Sequence, residues 1–399
     1  MIRAVTIVGA GPAGLTAART LHQAGVKDVL VVERNGEAGG LPRFCGHPGW
    51  GMLDFHRFWS GPTYARKLVE AAGDVEIRTN SSVVAFQRGG VLVVNGSGGT
   101  ERVQSRAVLI TTGIRETSRA ARLISGTRPW GVTTTGAFQE MVYRGGMTPF
   151  RRPAVIGTEL VSFSALLTAR HAGIKPVAMI EAGRRIVARR PGDLVARMLL
   201  GVPVWTDTSI VRIEGRDRVT GMVVSRGGRE ERIDCDGVIV TGKFTPETGV
   251  LRMSHIDIDE GTDGPSIDTG WRCSDPAYFA AGNVLRPVEH SGRAAEEGAL
   301  AARAILRSLR ESGPAGSFVP VRAGTGLRYV YPQRINADHG PVKLYGRVSE
   351  NRRGTLRVSS GSRVILEKSV NLLPERRLTL HLPESVRLAS EALCVSIEP

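Results

Sequence analysis

The N-terminal stretch VTIVGAGPAG, residues 5–14, joins four β-branched residues to a glycine-rich turn. The β-branched run predicts a buried strand, and residues 11–24 have the apolar spacing of a helix. In the pattern Gly-x-Gly-x-x-Gly, the first glycine permits the tight turn, the second lets a diphosphate approach the backbone, and the third lets the helix pack on the strand. The N–H groups of the helix tip then bind phosphate. The stretch therefore predicts a dinucleotide site formed by Gly9, Gly11, Pro12, Ala13 and Gly14.

A second predicted strand, residues 29–33, ends in Glu33. A carboxylate at the end of this strand is placed to bind the ribose hydroxyls of a dinucleotide. After Arg34 the chain reaches the small residues 38–40, which let the backbone come close to the cofactor, although an ordinary glycine-rich loop is the alternative. We expect the cofactor to be bound by Glu33, Arg34, Gly40 and Leu41.

The remaining chain divides by pattern into further regions. The strand–helix alternation recurs, which predicts an α/β protein with a Rossmann-like domain, residues 1–115 and 241–310, and a second Rossmann-like domain, residues 116–240, inserted into it. Residues 311–316 have the composition of a linker. Residues 317–399 contain short predicted strands between Gly, Ser and Pro turns, and they predict a small all-β domain, with an extra sheet layer on the core as the alternative.

Length and composition place the chain among globular proteins. Its 399 residues suggest two or three domains, and 41% hydrophobic residues with 49 glycines fit a glycine-rich α/β protein. No apolar run approaches the ~20 residues that cross a bilayer, and the N-terminus lacks the layout of a signal peptide. We therefore expect a cytoplasmic protein.

The charge balance is basic, because 53 lysines and arginines against 38 acidic residues give a net charge of +15. A basic surface can attract nucleic acid, acidic lipid, an acidic partner or an anionic substrate, whereas ordinary solvated faces of an arginine-rich chain are the alternative. The sequence has no helix-turn-helix, RNA-binding aromatic motif or zinc finger, so we expect no nucleic-acid partner. Contact with a membrane surface stays open, without a motif that supports it.

The four cysteines lie far apart, at Cys45, Cys235, Cys273 and Cys394, and form no Cys-x-x-Cys. This spacing argues against a structural zinc site, a cysteine-ligated iron–sulfur cluster and a redox-active disulfide of that kind. We expect no metal site, and mostly buried, inert thiols.

Residues 1–310 resemble the flavoproteins with two dinucleotide-binding domains, in the size class of thioredoxin reductase. Residues 108–113 (VLITTG) resemble the strand and turn where that family's chain leaves the FAD domain, and residues 238–242 (VIVTG) resemble the second such turn. Residues 278–283 (YFAAGN) resemble the late FAD motif, in which the last residue is usually Asp. The resemblance implies a thioredoxin-reductase-like fold with FAD as cofactor, and further FAD contacts from Thr112, Gly113, Gly282, Asn283 and, at the adenine, Val83.

The sequence departs from the reductases in its second dinucleotide fold. The expected glycine turn reads GTELVS, residues 157–162, and keeps the first glycine alone. Glu159 brings a carboxylate to the place of a pyrophosphate, and two like charges ~4 Å apart oppose binding by several kcal/mol. Residues 131–139 (GVTTTGAFQ) resemble the segment that carries Cys-x-x-Cys in the reductases, but contain no sulfur. We therefore expect a scaffold that neither binds NAD(P)H nor reduces disulfides.

The pattern Gly136-Ala137-x-Gln139 is similar to the FAD-containing α subunits of heteromeric opine oxidases, hydrogen cyanide synthase and dye-linked proline dehydrogenase. Residues 40–49 and 283–289 share this similarity. Many such subunits end in a cysteine-rich iron–sulfur segment, which residues 317–399 replace with predicted strands.

This similarity implies an FAD-dependent oxidoreductase that oxidises the C–N bond of an amine, amino acid or opine, together with a second flavoprotein subunit. The alternatives are a self-sufficient oxidase, an NAD(P)H-dependent flavin reductase, and a non-catalytic FAD-binding partner subunit.

Four polar residues are candidates for the flavin-side pocket: Arg43, His47, Glu289 and His290. Arg43 can hold a substrate carboxylate through two parallel hydrogen bonds. His47 is either catalytic or a structural histidine of its loop, and His290 is either catalytic, a helix cap or a flavin contact. Glu289 can equally bond the cofactor.

Overall fold

The computed structural model describes residues 2–188, 192, 195–310, 317–336, 342–382 and 391–398. Within this part the chain forms two α/β folds with parallel strands, followed by a C-terminal β region, so the predicted fold class is confirmed. The predicted linker, residues 311–316, lies outside the described residues. The domain limits given above stay predictions.

The first fold has the glycine turn at the carboxyl end of its first strand. Its strands and helices are β1 (Ile2–Val8), α1 (Pro12–Gln23), β2 (Val29–Val32), β3 (Pro48–Trp50), β4 (Trp59–Ser60), α2 (Gly61–Ala72), β5 (Glu76–Arg78), β6 (Ser82–Gln87), β7 (Val91–Gly96) and β8 (Gly99–Ile110). Short 3-10 helices span Leu41–Phe44, Leu251–Met253 and Gly282–Leu285.

The second fold is inserted between β8 and the return of the chain to the first sheet. Its strands and helices are β9 (Ile114–Glu116), β10 (Val132–Thr134), α3 (Thr135–Tyr143), β11 (Pro153–Ile156), α4 (Leu160–His171), β12 (Ala178–Ile180), β13 (Val204–Trp205), β14 (Thr208–Gly215), β15 (Val219–Arg226), β16 (Arg229–Asp234), β17 (Gly237–Val240) and β18 (Phe244–Pro246), with a π-helical turn at Val195–Leu199. The chain then forms β19 (Tyr278–Ala280) and α5 (Ser291–Arg310).

The first fold is built on a seven-stranded sheet of order β5-β2-β1-β8-β7-β6, in which β19 also pairs with β8. Because β1 is parallel to β2, β8 and, through β8, to β19, the carboxyl ends of these strands meet at one edge. Buried apolar side chains of α1, α2 and α5 cover one face of the sheet. The glycine turn, Glu33, Thr112 and Gly282 therefore emerge at the same edge.

The second fold is a five-stranded parallel sheet of order β10-β17-β11-β12-β13, beside a three-stranded antiparallel sheet of β14, β15 and β16. The strands β9 and β18 pair with each other and carry the chain into and out of this fold, with Phe244 opposite Glu116 and Pro246 opposite Ile114. The entry and exit of the inserted fold are therefore hydrogen-bonded neighbours.

The C-terminal region forms two antiparallel-rich sheets with a shared apolar core. Its strands are β20 (Phe318–Ala323), β21 (Leu327–Tyr331), β22 (Arg334–Asn336), β23 (Lys343–Val348), β24 (Arg352–Ser360), β25 (Arg363–Leu372), β26 (Leu378–His381) and β27 (Leu393–Glu398). Buried residues of β24 and β27 pack against those of β21, β23 and β26. The arrangement is the predicted β-sandwich, since two sheets enclose one core.

Candidate functional site

The glycines of the first turn have different structural roles. Gly9 has φ +106°, and a Cβ on it would lie 2.5 Å from the carbonyl oxygen of Thr111. A Cβ on Gly14 would lie 2.0 Å from the carbonyl oxygen of Gly9, so both positions require glycine for the fold itself. At Gly11 the nearest atom to a Cβ would be Gly40 Cα at 3.9 Å. The glycine at position 11 thus leaves backbone accessible, as a diphosphate requires.

Three backbone segments converge on the tip of α1. In the described part of the chain no side chain caps this helix, so the N–H groups of its first turn are available to an anion. Gly40, with φ +65°, comes so close that its Cβ would lie 2.8 Å from Gly11 Cα. Gly282, with φ +79°, lies against Ala13 in the same way. These residues form a backbone cradle that fits the diphosphate of FAD.

Glu33 is 5% exposed and is held by the main chain around it. Its Oε2 accepts the N–H of Ala10 at 2.9 Å, and its Oε1 accepts the backbone N–H and side-chain amide of Asn35 at 2.9 and 2.8 Å. One lone-pair position on Oε2 stays available for a ribose hydroxyl, because a carboxylate has about four such positions. The N–H of Ser81 binds the carbonyl of Glu33, which puts the start of β6, with Val83, beside this ribose position.

Thr112, Gly113 and Arg34 join the first sheet to the returning chain. The Thr112 hydroxyl donates to the carbonyl of Glu247 at 2.8 Å, and the N–H of Glu247 donates to the carbonyl of Gly113 at 2.9 Å. Arg34 lies 3.5 Å from the Glu247 carboxylate. A missed residue, Thr111, lies with its hydroxyl 2.9 Å from the carbonyl of Gly9 and steadies the glycine turn.

The late motif forms a closed turn. The side-chain amide of Asn283 donates to the carbonyl of Glu289 at 3.2 Å, and its oxygen accepts the N–H of Glu289 at 2.9 Å. The Glu289 carboxylate turns away from this bond and pairs with Arg347 of the sandwich at 2.9 Å. The structure therefore ties Glu289 to the C-terminal region, which the sequence did not indicate.

Arg43 is buried in the loop after β2, and the Leu41–Phe44 helix in which it lies begins at Gly40. Its Nη1 is 3.3 Å from Glu37 Oε2, and its guanidinium lies 5.0 Å from the centre of the Phe44 ring. Within the described residues its buried Nη2 has no hydrogen-bond partner. A buried donor without a partner is costly, so Nη2 is the atom best placed to bind a substrate carboxylate. Leu41, beside it, is half exposed.

The two candidate histidines are both neutral near pH 7, because burial lowers the pKa of His47 and of His290. His47 Nδ1 is 2.9 Å from the carbonyl of Pro48, so Nδ1 carries the proton. Its buried Nε2 is then an acceptor, without a partner in the described part of the chain. His290 Nδ1 instead accepts the N–H of Gly292 at 3.2 Å and caps α5.

A buried carboxylate missed in the sequence, Glu116, lies at the start of α3. Its Oε2 accepts the N–H of Gly136 at 2.7 Å, whereas Oε1 is buried without a partner among the described residues. Burial raises the pKa of Glu116. The same helix meets the predicted flavin-side loop, since Cys45 Sγ lies 3.4 Å from Gln139 Oε1. Burial and the Glu116 charge raise the pKa of Cys45 to about 12, so its thiol stays protonated.

The second dinucleotide fold holds its own carboxylate at the glycine turn. Glu159 lies so close to Gly157 and Gly242 that a Cβ on either glycine would come within 2.4 Å and 2.3 Å of its oxygens. Its Oε2 also accepts from the hydroxyls of Ser162 and Thr241, at 3.3 Å each. The place for a pyrophosphate is therefore filled by a negative side chain.

The described residues contain no group of three or more His, Cys, Asp or Glu side chains arranged to hold a metal ion. All four cysteines are free thiols. Of the helices described, none is both long and apolar enough to span a bilayer.

Two successive α/β folds, with the diphosphate cradle in the first, define an FAD-dependent oxidoreductase. Residues 3–299 match the family described as pyridine nucleotide-disulphide oxidoreductase, and the chain belongs to that family. Its fold is also that of the thioredoxin reductase of T. acidophilum, with a TM-score of 0.65 and 23% identity over 77% of this chain and 98% of the reductase.

Two relatives carry names of amine-oxidising enzymes. The chain is 26% identical to the alpha subunit of sarcosine oxidase from Rhizobium meliloti over 361 residues, 82% of this chain but 32% of that protein. It is 26% identical to the opine oxidase polypeptide of the same organism that is designated A, over 338 residues, 76% of this chain and 70% of that protein. The chain thus spans about a third of the sarcosine oxidase polypeptide.

Proposed function

We propose that this oxidoreductase oxidises the C–N bond of an amine, amino acid or opine, as one subunit beside a second flavoprotein subunit. The relatives named as subunits of sarcosine oxidase and opine oxidase support this substrate class and a heteromeric assembly. We further propose that FAD is bound by the residues predicted from the sequence: Gly9, Gly11, Pro12, Ala13, Gly14, Glu33, Arg34, Gly40, Leu41, Val83, Thr112, Gly113, Gly282, Asn283 and Glu289.

One observation carries the choice of an organic electron donor. The Glu159 carboxylate lies against Gly157 and Gly242, where the diphosphate of NAD(P)H would have to bind. A negative group held in this place repels a diphosphate, so a pyridine nucleotide is not the donor. The electrons must therefore come from a substrate or from a second protein.

The chain's own residues supply substrate binding and proton transfer. Bound FAD supplies the acceptor for the hydride that leaves the carbon of the C–N bond. An alkylammonium must also lose a proton from nitrogen, and we assign Oε1 of Glu116 to accept it, because this oxygen is unpartnered in the described structure and a raised pKa favours proton uptake near neutral pH. Arg43 Nη2 binds a substrate carboxylate, and His47 Nε2 is a second acceptor.

Anaerobic reduction of the purified, full-length protein tests the proposal. The protein is isolated with any partner that co-purifies, and mass spectrometry identifies both the partner and the released nucleotide. Sarcosine, L-proline, an opine and NADH are then added separately while the flavin band near 450 nm is followed. We expect bleaching by at least one of the amines and none by NADH. Bleaching by NADH alone supports a flavin reductase, and FAD that no donor reduces without the partner supports a non-catalytic role.

A further inference from the structure

The sandwich packs directly on the cofactor-binding fold. Tyr329 and Tyr331 of β21 are buried in the same apolar cluster as Val284 and Leu285, which follow the late FAD motif. The Tyr329 hydroxyl lies 3.5 Å from the carbonyl of Pro287. The segment that carries the late motif is thus enclosed between its own sheet and the sandwich.

A buried ionic cluster lies within this contact. Arg286 is 0% exposed, and its Nη1 donates to the carbonyl of Gly282 at 2.7 Å. Its Nη2 donates to Glu297 Oε1 at 2.5 Å, and the guanidinium lies 4.9 Å from the centre of the Tyr331 ring. From the sandwich, Arg377 approaches Glu297 to 3.8 Å. Because burying charges is costly and seldom adds stability, such a cluster suggests a requirement for one fixed geometry.

Arg347 makes the most direct connection between the sandwich and the late motif. Its Nη2 donates to Glu289 Oε1 at 2.9 Å and to the carbonyl of Val288 at 3.0 Å. Both ion-paired side chains are largely buried, with 15% and 11% exposed. The main chain of Glu289 is in turn bound at both its N–H and its carbonyl by Asn283. One guanidinium therefore fixes the turn that holds the last residue of the late FAD motif.

We propose that Arg347 is a positioning residue for FAD, and that the sandwich sets FAD affinity through it. Without the guanidinium, the Glu289 carboxylate loses its partner in a poorly solvated place and moves toward water. The turn 283–289 then loosens, and FAD must order it on binding. By linkage, a change at the sandwich appears as a change in the dissociation constant of FAD. This inference rests on FAD binding and not on the proposed substrate.

Titration of the full-length apoprotein with FAD tests this role. For R347Q we expect the dissociation constant of FAD to rise about tenfold, and the fine structure of the bound-flavin spectrum to change. R347K, which keeps the charge and one hydrogen bond, should recover part of the affinity. R353Q, at an exposed residue of β24 in the same sandwich, should bind FAD like the wild type.

A double-mutant cycle separates positioning from general stability. E289Q should also weaken FAD binding, and R347Q/E289Q should be no worse than R347Q, because both changes act on one contact. The proposal is overturned if R347Q lowers the melting temperature of apoprotein and holoprotein equally while FAD affinity stays unchanged. If R347Q does not fold, wild-type FAD affinity in E289Q overturns it just as well.

Discussion

The Glu159 carboxylate bridges the carboxyl ends of two parallel strands, with Oε2 3.3 Å from the hydroxyl of Thr241 at the end of β17. Glu159 itself begins α4 after β11. In a dinucleotide fold this position faces the diphosphate. The contact explains, from one side chain, why a fold shaped for a nucleotide would reject it.

Replacing Glu159 should therefore admit a pyridine nucleotide. We expect E159G to bind NADH at least about tenfold more tightly than the wild type, because the change removes both a like charge and the bulk that fills the turn. E159Q removes the charge alone and should show a smaller gain. Isothermal titration with NADH measures both. Equal, undetectable binding in E159G would mean that Leu160 and Val161 block the site.

The stability of E159Q should depend on pH in a defined direction. Burial raises the pKa of Glu159, with Glu181 adding to the rise. The folded state then binds this proton more tightly than the unfolded state, so wild-type stability falls as pH rises from the ordinary carboxyl pKa to the raised one. E159Q lacks this loss. Its melting temperature relative to wild type should increase between about pH 4 and pH 7, whereas the exposed E140Q should show no such trend.

Two glycines of the first turn should give opposite outcomes. At position 14 a Cβ would lie 2.0 Å from the carbonyl of Gly9, so G14A should lower the free energy of unfolding of the apoprotein by about 1–3 kcal/mol. At position 11 the nearest atom is 3.9 Å away, so G11A should leave apoprotein stability unchanged but weaken FAD binding more than tenfold. Chemical denaturation and FAD titration measure the two effects. Unchanged FAD binding in G11A would place the diphosphate elsewhere.

Glu116 should govern the pH dependence of amine oxidation. The ionised carboxylate is the form that accepts a proton, so kcat/KM should rise with pH through its raised pKa. E116Q should lose this rise, and its kcat/KM should fall about 100-fold. E116Q keeps an oxygen that can accept the Gly136 N–H, so α3 is not disturbed. A slower variant with an unchanged pH profile would show that Glu116 is not the base.

The first fold could be predicted because its determinants are local. A β-branched strand, three spaced glycines and Glu33 lie within 33 residues of one another in sequence order, and each follows from a single strand–turn–helix geometry. The strands of the sandwich were likewise visible, because Gly, Ser and Pro turns separate alternating runs. The antiparallel sheet of β14, β15 and β16 was not predicted, since its strands lie inside a region read as a repeat of the first fold.

The contacts that shape the candidate site were harder to predict because they join distant residues. Glu116 meets Gly136 across 20 positions, and Glu289 meets Arg347 across 58. A carboxylate in a sequence shows no sign of whether it will be solvated or buried. His290 shows the same limit, because its bond to the N–H of Gly292 depends on where α5 begins.

The pairing of β9 with β18 makes the inserted fold a detachable cassette. Since the chain departs and comes back along two adjacent antiparallel strands, a short turn from Ile114 to Pro246 could close the gap without parting the seven-stranded sheet. Evolution or an engineer can thus exchange the whole excursion, swapping one donor-facing module for another. A trimmed chain of this kind would report whether the flavin cradle assembles without its companion.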